Sequence, residues 1–469
     1  MGNGRRDVNV DRKLAILVIS HAFPPSGAVG ARRIAGFCKH LPEFKLHPIV
    51  VTVDQQSCEK LDQSLPVQEQ LQIERVRPRL TLLERYHRYS ELRAVAPRSG
   101  ALADDSRRSG LQPLLNLRQQ LVALLSFPDI HNGWLRPAQR AAAQAIRESR
   151  PDAVFSSGPP WTSHNVAYAL ARRYHIPWIA DFRDQWASDP WRRYDFNGEG
   201  APRWRSKLDL WTEDRWVRHA ALVVCVTNRQ REALLRAHPR ALPERVITIP
   251  NGCDGSWRPQ PCGTDPMPAK CVFLHVGELY GGRRIDGFCK ALQSLVHQGK
   301  VSATETIVSL VGKTEPDIQQ HAVESAPELF RSGVISFRPQ VDRKQVQEYL
   351  REARVLLVFQ GDHPTAIPAK FYEYIQTGKP ILALTSAGEL KDIVLRTGSG
   401  LVADPDDQAA IRTAIEQALR AAPRSAEEIN RVTKQFDVRD LTAKLAANIR
   451  AICREGVPAN GNPLKTKGE

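Results

Sequence analysis

Short apolar runs recur along the chain and alternate with segments of helical period. LAILVIS (14–20) and HPIVVTV (47–53) are continuous apolar runs of strand length. Between them GARRIAGFCKHL (30–41) has the spacing of a helix. The alternation continues through PDAVFSS (151–157), PWIADF (177–182), ALVVCVT (221–227) and RVITIPNG (245–252). It pauses at PNGCDGSWRPQPCGTDPMPAK (250–270), which is rich in Pro and Gly, lacks a period and reads as a linker. It resumes with CVFLHVG (271–277), TIVSLVG (306–312), GVISFR (333–338), ARVLLVF (353–359) and PILALT (380–385). Continuous apolar strands separated by helices predict parallel sheets covered on both faces.

The pause divides the 469 residues into an α/β domain over 1–255 and a second over 256–424. A helix and tail over 425–469 are expected to return to the first domain. Two doubly wound domains imply a cleft between them, with ligands beyond the carboxyl ends of the strands. Composition adds one unusual feature: 66 Lys and Arg against 51 Asp and Glu, a net charge of +15. Such a surface favours phosphates on nucleotides, nucleic acid or anionic lipid. Part of the excess lies in a basic, leucine-bearing insertion at about 75–150, which suits either packing on the domain or contact with an anionic membrane. APRSGALADDSRRSG (96–110) within it reads as a mobile loop. The eight cysteines form no C-x-x-C pair and are expected as reduced thiols. LAILVIS is too short for a signal-peptide core or a membrane span, so the expected location is the cytoplasm, with any membrane contact peripheral at its inner face.

The loops after the strands carry the candidate chemistry. FPPSGAVGARR (23–33) places Gly27 and Gly30 before a helix, where backbone amides can approach an anion. An ordinary strand-to-helix turn has the same composition. ADFRDQWASDPW (180–191) gathers Asp181, Arg183 and Asp184 at a strand end beside Trp186 and Trp191. Charges there need water, one another or a ligand, and adjacent aromatic faces suit sugars. In GELYGGRRID (277–286), Gly281 and Gly282 precede Arg283 and Arg284, whose guanidinium forks suit phosphate oxygens. In IPAKFYEYIQTGKPI (367–381), Phe371, Tyr374 and Ile375 form an apolar helical stripe, yet Lys370 and Glu373 share that helix. Lys370 near a helix N-terminus would neutralise phosphate, and Glu373 could accept from two adjacent hydroxyls. An exposed Lys–Glu pair three residues apart is the plainer alternative.

Taken together and in this order, FPPSGAVGARR, ADFRDQW, VITIPNGCD, HVGELYGGRR and PAKFYEYIQTGKPIL resemble the GT-B fold nucleotide-sugar glycosyltransferases, family 4 type, in the PAKxxEY branch. The resemblance spans roughly residues 14–420. It implies two Rossmann-like domains facing a central cleft, with the acceptor mainly on the first and the donor on the second. It implies transfer from a nucleotide diphosphate sugar to a saccharide or lipid-linked saccharide acceptor, with retention, in cell-surface polysaccharide or glycolipid synthesis. On the matching positions it implies donor binding by Gly27, Gly282, Arg283, Lys370 and Glu373, with Arg284 the alternative to Arg283. Arg183 stands where many members carry a histidine, between Asp181 and Asp184, and these three are the catalytic candidates. Thr365 stands where the first Glu of the E-x7-E motif belongs. No metal and no cofactor are expected, since the diphosphate would be neutralised by cations and amides. A GT-B fold UDP-sugar epimerase is the second enzymatic reading. Nucleic-acid binding would account for the charge, but no zinc finger, RRM signature or base-reading helix appears.

Overall fold

In a computed structural model, residues 12–58, 60–62, 65, 70–81, 120–188, 202–253, 270–361 and 363–455 are described. Trp191, residues 82–119 of the basic insertion including 96–110, and most of the linker lie outside the described residues.

The chain forms two compact units. One comprises residues 1–225, 231–249 and 442–469, the other 226–230 and 250–441. The first is built on a seven-stranded sheet of order β3-β2-β1-β4-β5-β6-β7. Its strands are β1 (Leu14–Ile19), β2 (Leu46–Val53), β3 (Gln72–Val76), β4 (Ala153–Gly158), β5 (Trp178–Phe182), β6 (Leu222–Cys225) and β7 (Val246–Thr248). Each pairing is parallel. Alternate residues feed opposite faces. Leu17, Ile19, Val51, Val154 and Phe182 join one core cluster. Ile16, Val18 and Phe155 meet Ile34 and Phe37 of the helix Val29–His40, and Leu445 and Ile449 of the C-terminal helix Val438–Glu455. Arg450 of that last helix donates to the Phe44 carbonyl at 2.7 Å, fixing it on this unit. The helix Leu135–Ser149 closes the basic insertion and turns Ala138, Ala142 and Ile146 inward, so this part of the insertion packs on the domain.

The second unit holds a six-stranded sheet of order β10-β9-β8-β11-β12-β13. Its strands are β8 (Cys271–Val276), β9 (Thr306–Val311), β10 (Ile335–Arg338), β11 (Val355–Phe359), β12 (Ile381–Leu384) and β13 (Gly400–Ala403), again all parallel. Phe273, Leu357 and Leu382 face one core cluster, and Leu274, Leu356 and Ile381 face the other. Both units therefore have the Rossmann-like architecture. Strands β3 and β13, absent from the sequence reading, lie at sheet edges. Segment 426–434 stays with the second unit, where its helix packs near Ile375–Thr377. All seven described cysteines are free thiols. Burial alone pushes Cys38 up to about 12.

Candidate active site

In the second unit the carboxyl ends of β8 and β9 are followed by glycines in unusual backbone geometry. Gly277 has φ +135° and Gly312 has φ +134°. A Cβ on Gly312 would stand 2.4 Å from the Gly277 carbonyl oxygen. Only glycine permits both the conformation and the approach. The loop continues through Gly281 (φ +59°) and Gly282 (φ +76°), which turn the chain so that Arg283 follows at once. Arg283 donates to the Glu278 carbonyl at 2.8 Å and lies over the Tyr280 ring at 4.1 Å. Arg284 points elsewhere: it is exposed and pairs with Asp286 and Asp406 at 3.0 and 2.7 Å. Of the two arginines, Arg283 belongs to the strand-end cluster.

The helix Ala369–Tyr374 has six residues and runs into a 3-10 turn over Ile375–Thr377, which ends at Gly378 with φ +71°. From Phe371 to Thr377 every residue is buried except Glu373. The Tyr374 hydroxyl accepts from the Val276 amide at 2.9 Å, pinning this helix to the end of β8. Lys370 is thereby laid against β8, with Nζ 2.8 Å from His275 Nε2. A Cβ on Gly277 would lie 2.5 Å from that Nζ, so the glycine makes room for the lysine. Burial, with repulsion from Arg283, pulls the Lys370 ammonium down to about 7, against the attraction of Glu373 and Glu278. Thr365 lies in the preceding loop, its carbonyl accepting from the Thr227 hydroxyl at 2.6 Å. Gly282, Arg283, Lys370 and Glu373 are thus brought to the same strand-end region. It combines two cations, the Glu373 carboxylate with Glu278 close to Lys370, and a glycine-lined backbone, which suits a diphosphate joined to a diol.

In the first unit the charged strand end is organised differently. Asp181 is fully buried and is held by Arg33, whose Nε lies 3.2 Å from each carboxylate oxygen and whose Nη2 lies 2.9 Å from Oδ1. Ser157 Oγ donates to the same carboxylate at 2.7 Å, and Arg33 also donates to the Ile249 carbonyl at 2.9 Å. The counter-ion of Asp181 is therefore a residue 148 positions away, and this carboxylate is enclosed. Arg183 is half-buried and donates to the Pro159 carbonyl. Its guanidinium occupies the space a side chain at Gly30 would need. Burial lowers its pKa, while Asp184 and Asp181 act to raise it. Asp184 is exposed. Gly27 donates its amide to the Lys60 carbonyl at 2.9 Å, so that N–H is already engaged.

Trp186, expected as a face for a sugar, is a core residue at 1 % exposure. It stacks between Trp161 and Trp216 with centroids at 5.5 and 4.7 Å. Three residues drew no attention in the sequence: Arg33, the Asp181 partner; His275, the Lys370 partner; and His21, whose ring lies 4.5 Å from that of His131 after β1. The charged Arg in GARR and the His inside an otherwise apolar strand were the available signals.

Two family models match the chain in succession. Residues 30–252 match a glycosyl transferase 4-like domain, and residues 270–421 match the glycosyl transferases group 1 domain. The chain belongs to the GT-B glycosyltransferases, family 4-like. Solved structures agree on the fold. HepE from Anabaena, crystallised with UDP and glucose, is 14 % identical, with 94 % of this chain and 100 % of that chain covered and a TM-score of 0.58. Sucrose-phosphate synthase from Thermosynechococcus elongatus is 15 % identical over 94 % and 99 %, with a TM-score of 0.59. WaaG, a glycosyltransferase of lipopolysaccharide biosynthesis, is 16 % identical over 93 % and 99 %, at 0.56. A search of curated proteins gives no significant match. Among the described residues of this glycosyltransferase no helix is long and apolar enough to cross a membrane.

Proposed function

We propose that this glycosyltransferase takes a hexosyl group from a nucleoside diphosphate sugar held on the second unit, and passes it with retention to a saccharide or lipid-linked saccharide in cell-surface polysaccharide or glycolipid synthesis. The observation that carries the donor assignment is the cluster of Lys370, Arg283 and Glu373 around Gly277, Gly281 and Gly282. Lys370 and Arg283 neutralise the diphosphate and the charge that grows on it as the glycosidic bond breaks. Glu373 accepts from the two ribose hydroxyls. In a retaining transfer the departing phosphate helps remove the acceptor proton, which asks for cations on the phosphate rather than a protein nucleophile. This reaction needs no metal.

In the first unit, Arg183 and the exposed Asp184 are the groups we assign to the reacting end. Asp181 acts by holding Arg33. Gly27 contributes the turn that opens the helix Val29–His40. HepE, crystallised with UDP-glucose, lends support to a UDP-sugar donor, and the lipopolysaccharide role of WaaG supports a surface-glycan acceptor. Exposed Leu121, Leu124, Ile130 and Trp211, the last with the Arg215 guanidinium 4.4 Å from its ring, support peripheral contact with an anionic membrane from the cytoplasmic side. Sedimentation with anionic vesicles at low salt checks that part: protein left wholly in the supernatant contradicts it.

A thermal-shift panel of UDP- and GDP-sugars on wild type and Glu373→Ala tests the donor site. The expected result is stabilisation of wild type by one nucleotide series, lost in the variant. Equal shifts in both proteins contradict the assignment. Proton NMR of the anomeric product tests retention, and an inverted product rejects it.

A further inference from the structure

His275 lies in β8, fully buried, among residues that otherwise build the sheet. Its Nδ1 is 3.0 Å from the Leu357 carbonyl oxygen. A carbonyl only accepts, so Nδ1 carries the ring proton and Nε2 is left with its lone pair. That lone pair faces Lys370 Nζ at 2.8 Å. A buried ring beside a cation is held well below the usual imidazole range by burial and by Lys370 itself, so the imidazole stays neutral. Leu357 therefore fixes the tautomer, and the tautomer presents an acceptor to the amine. Among the described residues, His275 is the neutral acceptor placed on the lysine. The groups acting on it are Arg283 and Glu278 from the loop after β8, and Glu373 from its own helix. Tyr374, from the same helix, has its hydroxyl on the Val276 amide.

We propose that His275 is a positioning residue for Lys370: its Nε2 holds the amine at the strand end and favours its protonated form, so that binding of a diphosphate donor and protonation of Lys370 are coupled. The coupling to a donor rests on the reading of Lys370 as a diphosphate ligand; the control by His275 does not. In the empty site two cations oppose each other, and Lys370 releases its proton near neutrality. An anionic diphosphate reverses the balance and draws a proton from solvent to Nζ. The sign follows. Donor affinity is full below the free-state midpoint of about 7. It then falls about tenfold per pH unit as pH rises, until the midpoint of the bound form is reached. Deleting the acceptor weakens the charged form and moves the free-state midpoint down.

Trace acetylation with acetic anhydride across pH, read by peptide mass spectrometry on the full chain, measures the Lys370 midpoint without any ligand. Wild type is expected to show a midpoint near 7. His275→Leu, which removes the acceptor, is expected to fall by about one to two pH units, the size of one hydrogen bond to a charged group. His275→Gln, whose amide oxygen reaches the Nε2 position, is expected to restore it. His275→Asn keeps a donor for Leu357 but offers nothing to Nζ, and should follow Leu; it serves if the Leu variant misfolds. Midpoints that coincide in wild type, Asn and Leu overturn the inference. UDP-glucose is the second arm, because it lacks the terminal phosphate that titrates near pH 6 in free UDP. It should raise the wild-type midpoint by at least one unit. A midpoint unmoved by UDP-glucose, in a protein whose His275 variants shift, overturns the donor coupling and leaves the positioning role standing.

Discussion

Asp181→Ala separates a structural carboxylate from a catalytic one. The side chain accepts from two guanidinium nitrogens of Arg33 and from Ser157 Oγ, with every contact at 3.2 Å or less. Both partners are enclosed, with side chains 0 % exposed for Asp181 and 5 % for Arg33. Solvent therefore screens little of the pair. Truncating it strands a buried cation, and loss of one partner of such a pair costs about 3–5 kcal/mol. For a unit of this size each kcal/mol lowers the melting temperature by about 2–4 °C, so the first unit should unfold roughly 6–20 °C lower. Replacing both partners, as Asp181→Leu with Arg33→Met, should recover much of the loss, because the cation leaves with its counter-ion. Differential scanning calorimetry of the single, partner and double variants gives the coupling energy. An Asp181→Ala protein that melts with wild type yet transfers no sugar would refute the structural reading and place the carboxylate in the chemistry.

Three further substitutions test the placement of other residues. Arg283→Ala should raise the nucleotide-sugar Kd about tenfold to a hundredfold, the range for a lost charge-assisted hydrogen bond, whereas Arg284→Ala should stay within about twofold, because its partners are Asp286 and Asp406; titration calorimetry reads both, and the reverse order contradicts the placement. Trp186→Ala should cost about 3–5 kcal/mol by chemical denaturation with an unchanged acceptor KM in the folded fraction, since the indole is stacked inside the domain.

The strands were legible where their residues are apolar on both faces. LAILVIS and ARVLLVF lie inside their sheets, and buried parallel strands have that composition. QIERV of β3 alternates with charges because it is an edge strand with one partner. GLVA of β13 has four residues and opens on glycine. Neither pattern exceeds that of a loop. In the site, Lys370 and Glu373 were legible because charge on a short apolar helix demands a reason, and Gly281 and Gly282 because paired glycines after a strand mark backbone approach. The partners were not. Arg33 meets Asp181 only through the neighbouring positions of β1, β4 and β5. Trp186 is covered by Trp161 and Trp216, which only folding brings to it. Arg284 is distinguished from Arg283 by Asp406, more than a hundred residues on. Sequence shows which groups need a partner; which partner they find is set by strand order.

The donor site is tested most directly by a crystal structure of the protein with UDP bound. Diphosphate oxygens are expected within hydrogen-bond distance of Lys370 Nζ and the Arg283 guanidinium, and both ribose hydroxyls on the Glu373 carboxylate. Nucleotide density lying away from these three side chains, with Glu373 facing solvent, would contradict it.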